Sequence, residues 1–181
     1  MKALAVFGSV VPLLIAPSPV AIAQPSMASP KGDVALEKEK AAIIEVIERQ
    51  AAAFWAKDFQ GWADTWVHAP YTRRLGWSAA GGVVSVEGWE AIAARMKKSM
   101  ADNPTPNRTP ATLVRERVNF QIYADAAWVT FEQHGVSTGD PRFDMPGLSY
   151  ETRILEKHNG QWKVAYLGYL LAGSPDASQT R

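Results

Sequence analysis

The chain of 181 residues contains no cysteine. Disulfides, thiolate nucleophiles, cysteine-ligated zinc and iron–sulfur clusters are therefore excluded. The chain also lacks an excess of charge of one sign, since 19 Lys and Arg residues stand against 18 Asp and Glu residues. Proteins that bind nucleic acid through its phosphates need a basic surface. We therefore expect no nucleic-acid partner.

Motifs for metal ions and nucleotide cofactors are missing as well. The sequence has no H-x-H or H-E-x-x-H pattern, which would indicate a zinc site. Residues 140–144 (Asp-Pro-Arg-Phe-Asp) are too few for a calcium loop and lack its glycine. A glycine-rich phosphate loop is also missing. The sequence therefore predicts neither a metal ion nor a cofactor.

The amino terminus has the pattern of a secretory signal peptide. Lys2 gives a positive start, residues 3–16 form an apolar run, and 21–23 (Ala-Ile-Ala) provide an A-x-A cleavage site. The apolar run is shorter than the roughly 20 residues that a membrane-spanning helix needs, so a membrane anchor is the minor alternative. We expect cleavage after Ala23, a periplasmic or secreted protein, and no membrane contact after cleavage.

The remaining chain is predicted to form one domain with loose ends. Residues 24–34 and 173–181 are rich in Pro, Ser and Gly, and we expect a flexible leader and a flexible tail there. Residues 35–172 then form the folded domain, a length that is typical of a single core.

The first half of this domain has apolar residues at helical spacing and predicts three helices. A first helix over about 33–57 has its expected buried face at Leu36, Ile43, Ile47 and Phe54. A second helix is capped by Asp58 and ended by Pro70. A third helix follows Gly88.

The second half changes to the period of a half-buried strand. The pattern predicts antiparallel strands at 114–122, 127–136, 148–156 and 161–171, with a short strand pair at 71–77 and 83–86. The dipeptide Asn159-Gly160 predicts a tight hairpin turn, because both of its positions tolerate positive φ. Helices first and strands afterwards predict an α+β fold in which a curved antiparallel sheet packs against three helices.

Three short sequence motifs resemble those of the nuclear transport factor 2-like superfamily. They are 125–131 (Asp-Ala-Ala-Trp-Val-Thr-Phe), 151–155 (Glu-Thr-Arg-Ile-Leu) and 159–164 (Asn-Gly-Gln-Trp-Lys-Val). This superfamily includes SnoaL-like polyketide cyclases, ketosteroid isomerase and the association domain of calcium/calmodulin-dependent kinase. The resemblance covers residues 35–171 and implies a cone of bent sheet that is closed by helices, and commonly a homodimer. Its members include enzymes, binding proteins and assembly modules, so the fold does not fix the function.

The resemblance also implies positions for functional side chains. Arg153 matches an arginine that projects into the cone of the association domain, whereas Gln133 stands where that domain has a second pocket arginine. His68 stands near the region where ketosteroid isomerase carries its aspartate base. The first helix offers no tyrosine for an oxyanion hole, so steroid isomerase chemistry is not expected.

Two of these residues are candidate catalytic groups. An imidazole can gain or lose a proton near neutral pH, so His68 could act as a general acid or base, or it could simply bind backbone carbonyls at a helix end. Arg153 could stabilise an anionic ligand, and Glu151, on the same face of its strand, could hold the guanidinium in place. Alternatively, these two form an ion pair that only specifies packing.

The candidate ligand-binding residues are mostly aromatic. Phe131 and Gln133 share a strand face and are expected to line the cone. Tyr71, Trp77 and Tyr166, with Tyr169, could form aromatic walls for an apolar ligand, or they could belong to the core.

Two functions follow from this sequence. The first is an exported protein that binds a small, mostly apolar molecule with an anionic or carbonyl group, with weak acid–base catalysis as an extension. The alternative is a homodimeric assembly or scavenging module without catalysis, in which the cavity has only a structural role.

Overall fold

The computed structural model describes residues 30–78, 82–106, 113–135 and 148–171. The predicted signal peptide (1–23) and tail (173–181) lie outside the described residues, as does most of the predicted leader. No helix in the described ranges has both the length and the apolar run needed to cross a membrane.

Three helices are described, α1 (Pro30–Ala56), α2 (Phe59–Ala63) and α3 (Trp89–Asp102). α1 begins within the segment that the sequence predicts to be a flexible leader. It ends in a Schellman motif, in which the Asp58 amide donates to Ala53 O (2.9 Å) and the Lys57 amide to Phe54 O (3.2 Å). Lys57 occupies the left-handed position of this motif with a φ of 60°.

α2 is shorter than the sequence predicts. Asp58 caps it as expected, accepting a hydrogen bond from the Gly61 amide at 2.9 Å, but the helix ends at Ala63 rather than at Pro70. The chain is instead drawn alongside the last strand, because the Val164 amide donates to Thr65 O and the Val67 amide to Val164 O. Apolar spacing alone could not reveal that residues 65–67 form hydrogen bonds with the last strand instead of continuing the helix.

The six strands form one sheet in the order β2-β1-β6-β5-β4-β3. Their bounds are β1 (Arg73–Ser78), β2 (Gly82–Glu87), β3 (Leu113–Ile122), β4 (Ala126–Gly135), β5 (Leu148–His158) and β6 (Gln161–Leu171). All neighbouring strands are antiparallel except β1 and β6, which are parallel. The predicted turn is confirmed, since Asn159 and Gly160 have φ values of 52° and 77°. The predicted α+β class with a curved, mostly antiparallel sheet is also confirmed.

One face of the sheet packs on the helices, and the other face does not. The inner face of β4 and β5 carries the odd-numbered residues, such as Val129 and Leu155, both of which are fully buried. They pack with Ile43 and Ile47 of α1, and with Trp62, Trp66, Ile92 and Met96. Leu36, which the helical spacing places on the buried face of α1, is 40% exposed because the first turns of this helix extend past the core.

Candidate functional site

A cavity of about 360 Å³ lies between the helices and the inner face of the sheet. Its helical wall is apolar and includes Phe54, Trp55, Trp62 and Met96. The sheet wall is polar, with Arg74, Arg115, Gln133, Ser149, Glu151, Arg153 and Tyr169. We call this space the cone cavity. A mostly apolar cavity with a few convergent polar groups is the usual form of a small-molecule site.

A buried ion pair lies at the middle of the polar wall. Arg153 Nη1 donates to Glu151 Oε2 at 2.7 Å, and the two side chains are only 8% and 7% exposed. Ser149 Oγ donates to the other carboxylate oxygen, Oε1. These partners hold the carboxylate and the guanidinium in fixed orientations, which is compatible with both roles considered for Glu151 and Arg153.

A second arginine lies at the edge of the same wall. Arg115 pairs with Gln133 across β3 and β4, and its guanidinium makes an ion pair with Glu48 of α1. The guanidinium groups of Arg115 and Arg153 lie 5.6 and 5.5 Å from the centre of the Phe131 ring. The Phe131 ring therefore makes a cation–π contact with each of the two guanidinium groups.

Both arginines retain an unused hydrogen-bond donor. The Nε atoms of Arg115 and Arg153 are buried and have no hydrogen-bond partner among the described residues. Buried polar groups in folded proteins are almost always hydrogen-bonded, and an unpartnered one is costly. These two N–H groups therefore lack the partner that buried donors normally have, and both side chains line the cone cavity.

A third arginine, Arg74, approaches from β1. Its guanidinium lies 5.5 Å from the centre of the Tyr169 ring. Tyr169 can lie there because position 76 is glycine: a Cβ at Gly76 would come within 2.1 Å of the ring. Burial lowers the pKa of Arg74 from its ordinary value, because desolvation disfavours the charged form.

The structure brings only part of the predicted site together. Glu151, Arg153 and Gln133 line the cone cavity, whereas Phe131 contacts two of its arginines but is not itself among the lining residues. His68, Tyr71, Trp77 and Tyr166 are not among the residues that line it. Roles for these four side chains stay predictions without support from their positions.

His68 makes the contacts of a helix-end residue. Its Nε2 lies 3.0 Å from Ala63 O, and its ring stacks on Trp89 with centroids 3.9 Å apart. Tyr71 is 55% exposed and its hydroxyl donates to Glu156 at 2.7 Å, a hydrogen bond that raises the pKa of Tyr71. Both side chains therefore have partners other than a ligand in the cone cavity.

Trp77 and Tyr166 lie on the opposite face of the sheet. They line an open groove of about 610 Å³ together with Leu75, Val83, Tyr150 and Leu170. Tyr166 lies against Gly168, where a Cβ would come within 2.8 Å of its ring. Tyr166 and Tyr169 are three positions apart on one strand and are thus directed to opposite faces. We call the open groove on the face that carries Trp77 and Tyr166 the outer groove.

Sequence reasoning missed Arg74 and Arg115. A regular alternation along β3 would place Arg115 on the face opposite to Val118 and Phe120, which is the solvent face. A β-bulge between Glu116 and Asn119 inserts one extra residue and inverts the alternation, so Arg115 and Phe120 share the inner face. The left-handed φ of 51° at Arg117 marks the bulge, but nothing in the residue types there signals it.

No group of three or more His, Asp and Glu side chains in the described ranges is arranged to hold a metal ion. The polar wall of the cone cavity instead presents cationic N–H donors and one carboxylate. Such a wall suits anionic or carbonyl oxygens rather than a metal ion.

No family model and no curated protein matches the chain. Solved structures, in contrast, match it over most of their length. An NTF2-like protein of unknown function from Pseudomonas putida has a TM-score of 0.56 at 18% identity, covering 81% of this chain and 92% of that chain. A cystatin-like protein of unknown function from Nostoc punctiforme has a TM-score of 0.56 at 16% identity, covering 74% and 90%.

A third similar structure is a putative calcium/calmodulin-dependent protein kinase type II association domain from Thiobacillus denitrificans. It has a TM-score of 0.54 at 12% identity, covering 70% of this chain and 92% of that chain. The chain has the NTF2-like cone fold, which confirms the fold that the sequence motifs implied. Since none of these three identities exceeds 18%, the similarity shows the fold and nothing about activity.

Proposed function

We propose that this protein is exported and binds a small, mostly apolar molecule with an anionic or carbonyl group in the cone cavity. The signal-peptide pattern at 1–23 supports export. The cavity volume of about 360 Å³ falls within the usual range for small-molecule sites.

One observation carries the proposal more than any other. Two buried guanidinium groups, those of Arg115 and Arg153, keep Nε donors without partners among the described residues beside the cavity. A ligand oxygen would satisfy donors that are costly to leave unpaired, and hydrogen bonds to charged groups are the stronger class. The fixed ion pair with Glu151 prevents Arg153 from turning away.

The helical wall would hold the rest of the ligand. Phe54, Trp55 and Trp62 offer apolar ring surface opposite the arginines. A ligand with an oxygen at one end and a ring or alkyl body at the other would therefore match both walls. We assign His68 no role in this cavity, because it lies outside the cavity lining.

Native mass spectrometry of the protein purified from cells that produce it naturally tests this proposal. A stoichiometric small molecule should be released from the unmodified protein and be lost from Arg153→Met. Arg49→Met, which removes an exposed arginine from α1, is the matched control and should retain the molecule. The intact mass reports export at the same time, since cleavage after Ala23 leaves a chain that starts at Gln24. An empty cavity in all three samples would contradict the proposal.

A homodimer that forms through the outer face of the sheet is the second candidate, and it supports the assembly function. Trp77, Trp128 and Leu170 are 42%, 52% and 56% exposed on this one face, together with Tyr150 and Ile154. A contiguous apolar surface of this kind is uncommon on monomers. Because a two-fold axis places the same patch on both subunits, the groove could pack against its own copy.

Sedimentation equilibrium tests the dimer. The unmodified protein should have twice the monomer mass, and Trp128→Ser with Leu170→Ser should shift it to the monomer mass. Val34→Ser, which alters an exposed apolar residue on α1, should leave the dimer intact. A monomeric unmodified protein would exclude this assembly.

A further inference from the structure

The charges around the cone cavity do not cancel. Arg153 is paired with Glu151, and Arg115 is paired with Glu48. Arg74 makes no hydrogen bond or ion pair to another described residue, although it lines the same cavity. Three guanidinium groups and two carboxylates leave one uncompensated positive charge, and that charge belongs to Arg74.

The surroundings of Arg74 favour the arrival of an anion. Burial is the main cause that lowers the pKa of Arg74, and the positive charges of Arg95 and Arg153 act in the same direction, whereas Tyr169 and Glu151 act to raise it. The Tyr169 ring, for which Gly76 leaves room, lies against the guanidinium on one side. An anionic ligand would supply the missing counter-charge and replace the water that burial has removed.

The register of the sheet brings a second donor within reach. Arg74 pairs with Leu167, and Leu167 pairs with Arg153 on its other side. The two arginines therefore start from the same row of the sheet, two strands or about 10 Å apart. Their long side chains can converge on one carboxylate above Leu167, with the free Nε of Arg153 as the second donor.

The same wall disfavours a second negative charge. Glu151 lies on the inner face of β5 next to Arg153, is 7% exposed, and already neutralises that arginine. A ligand with two carboxylates would have to place one of them near this buried anion, where like charges repel strongly. A neutral ligand, in contrast, would leave Arg74 without a counter-charge.

We propose that Arg74 is the anion-binding residue of the cone cavity, and that the cavity selects ligands with one carboxylate over neutral or dicarboxylate analogues of the same shape. This inference rests on the proposed small-molecule function and deepens it. It assigns the charge of the ligand to one residue, whereas Arg153 and Arg115 act as supporting donors whose charges are already balanced.

A charge series on one scaffold tests the inference. Phenylacetate, phenylacetamide and phenylmalonate carry one, no and two negative charges at neutral pH, and 1-naphthylacetate with its amide extends the ring. Isothermal titration of the unmodified protein should show the monocarboxylates binding at least about tenfold more tightly than the amides and the dicarboxylate, as one charge-assisted hydrogen bond implies.

Variants at two neighbouring positions assign the charge. Arg74→Gln should lose this preference, and Arg74→Lys should retain part of it. Arg73→Gln should behave like the unmodified protein, because Arg73 pairs with Glu87 and its side chain is half exposed. Circular dichroism checks that each variant is folded.

The outcomes separate the two proposals. If none of the five compounds binds the unmodified protein at millimolar concentration, both the inference and the proposed function fail for such ligands. If the compounds bind without a charge preference, small-molecule binding stands and the charge selection is wrong. If Arg74→Gln folds and keeps the preference, the assignment to Arg74 is wrong. If Arg74→Gln does not fold, Arg74→Lys decides the question. A preference for monocarboxylates that Arg74→Lys retains at least in part supports a role of the charge at position 74. A complete loss of that preference in Arg74→Lys overturns this role.

Discussion

Replacing Arg153 by methionine should destabilise the fold by about 3 kcal/mol. The side chains of Arg153 and Glu151 are 8% and 7% exposed and are joined at 2.7 Å, so the pair belongs to the buried class. Breaking a buried pair costs about 3 to 5 kcal/mol, since it leaves one charge uncompensated. We take the lower end because the pair borders a cavity. For a domain of this size, the melting temperature should fall by roughly 6 to 12 °C.

A double variant separates this effect from lost packing. In Glu151→Leu with Arg153→Met, both charges of the pair are removed and neither partner is left without the other, so the double variant should be at least about 1 kcal/mol more stable than Arg153→Met. Arg117→Met removes an ion pair with Glu132 in which the arginine is 79% exposed, and it should cost less than about 1 kcal/mol. Thermal unfolding followed by circular dichroism measures all four proteins. A cost for Arg153→Met no larger than that of the control, or a double variant no more stable than Arg153→Met, would refute the reasoning.

Three further predictions use single positions. Gly76→Ala should push the Tyr169 ring out of place, because the new Cβ would lie 2.1 Å from it. In Gly76→Ala, the affinity for phenylacetate and the melting temperature should both drop. When the same substitution is made in Tyr169→Leu, both losses should be much smaller, and equal losses with and without the tyrosine would contradict the contact between position 76 and the Tyr169 ring. Lys57→Gly should raise the unfolding free energy by up to about 1 kcal/mol in urea titrations, since Lys57 has a φ of 60°; a destabilised variant would disprove the strain. Hydrogen bonds from Lys157 and Trp162 lower the pKa of Glu39 below its ordinary value of 4.5, so its contribution to stability is complete above that pH and is lost as the pH falls through the lowered pKa. The stability gap between the unmodified protein and Glu39→Gln should therefore shrink on acidification below pH 4.5, and a gap that is constant with pH would contradict this.

The sequence predicts the fold well because its main elements follow local rules. The strand pattern at 148–156 and 161–171 and the turn at Asn159-Gly160 correspond closely to β5, β6 and their hairpin. The length of α2 could not be predicted in this way. The backbone of residues 65–67 forms hydrogen bonds with Val164, and that partner is almost one hundred positions away in the chain.

The cone cavity could be predicted only where strand parity is regular. Glu151 and Arg153 lie on an unbroken alternation in β5, and the sequence places them correctly on one face. A regular alternation would place Arg115 on the wrong face, because the bulge beside that residue shifts the alternation by one position. Trp77 and Tyr166 are aromatic like true pocket residues, but residue type does not reveal which face of a sheet a side chain occupies.

The central claim is that ligands bind between the arginines of the cone cavity, and ¹H–¹⁵N spectra of arginine Nε groups test it most directly. Phenylacetate would be titrated into labelled protein, with signals assigned through single Arg→Lys variants. The account predicts that the signals of Arg74, Arg115 and Arg153 shift together, while that of Arg73 stays in place. Shifts confined to the indole N–H signals of Trp77 and Trp128, on the outer face, would contradict it.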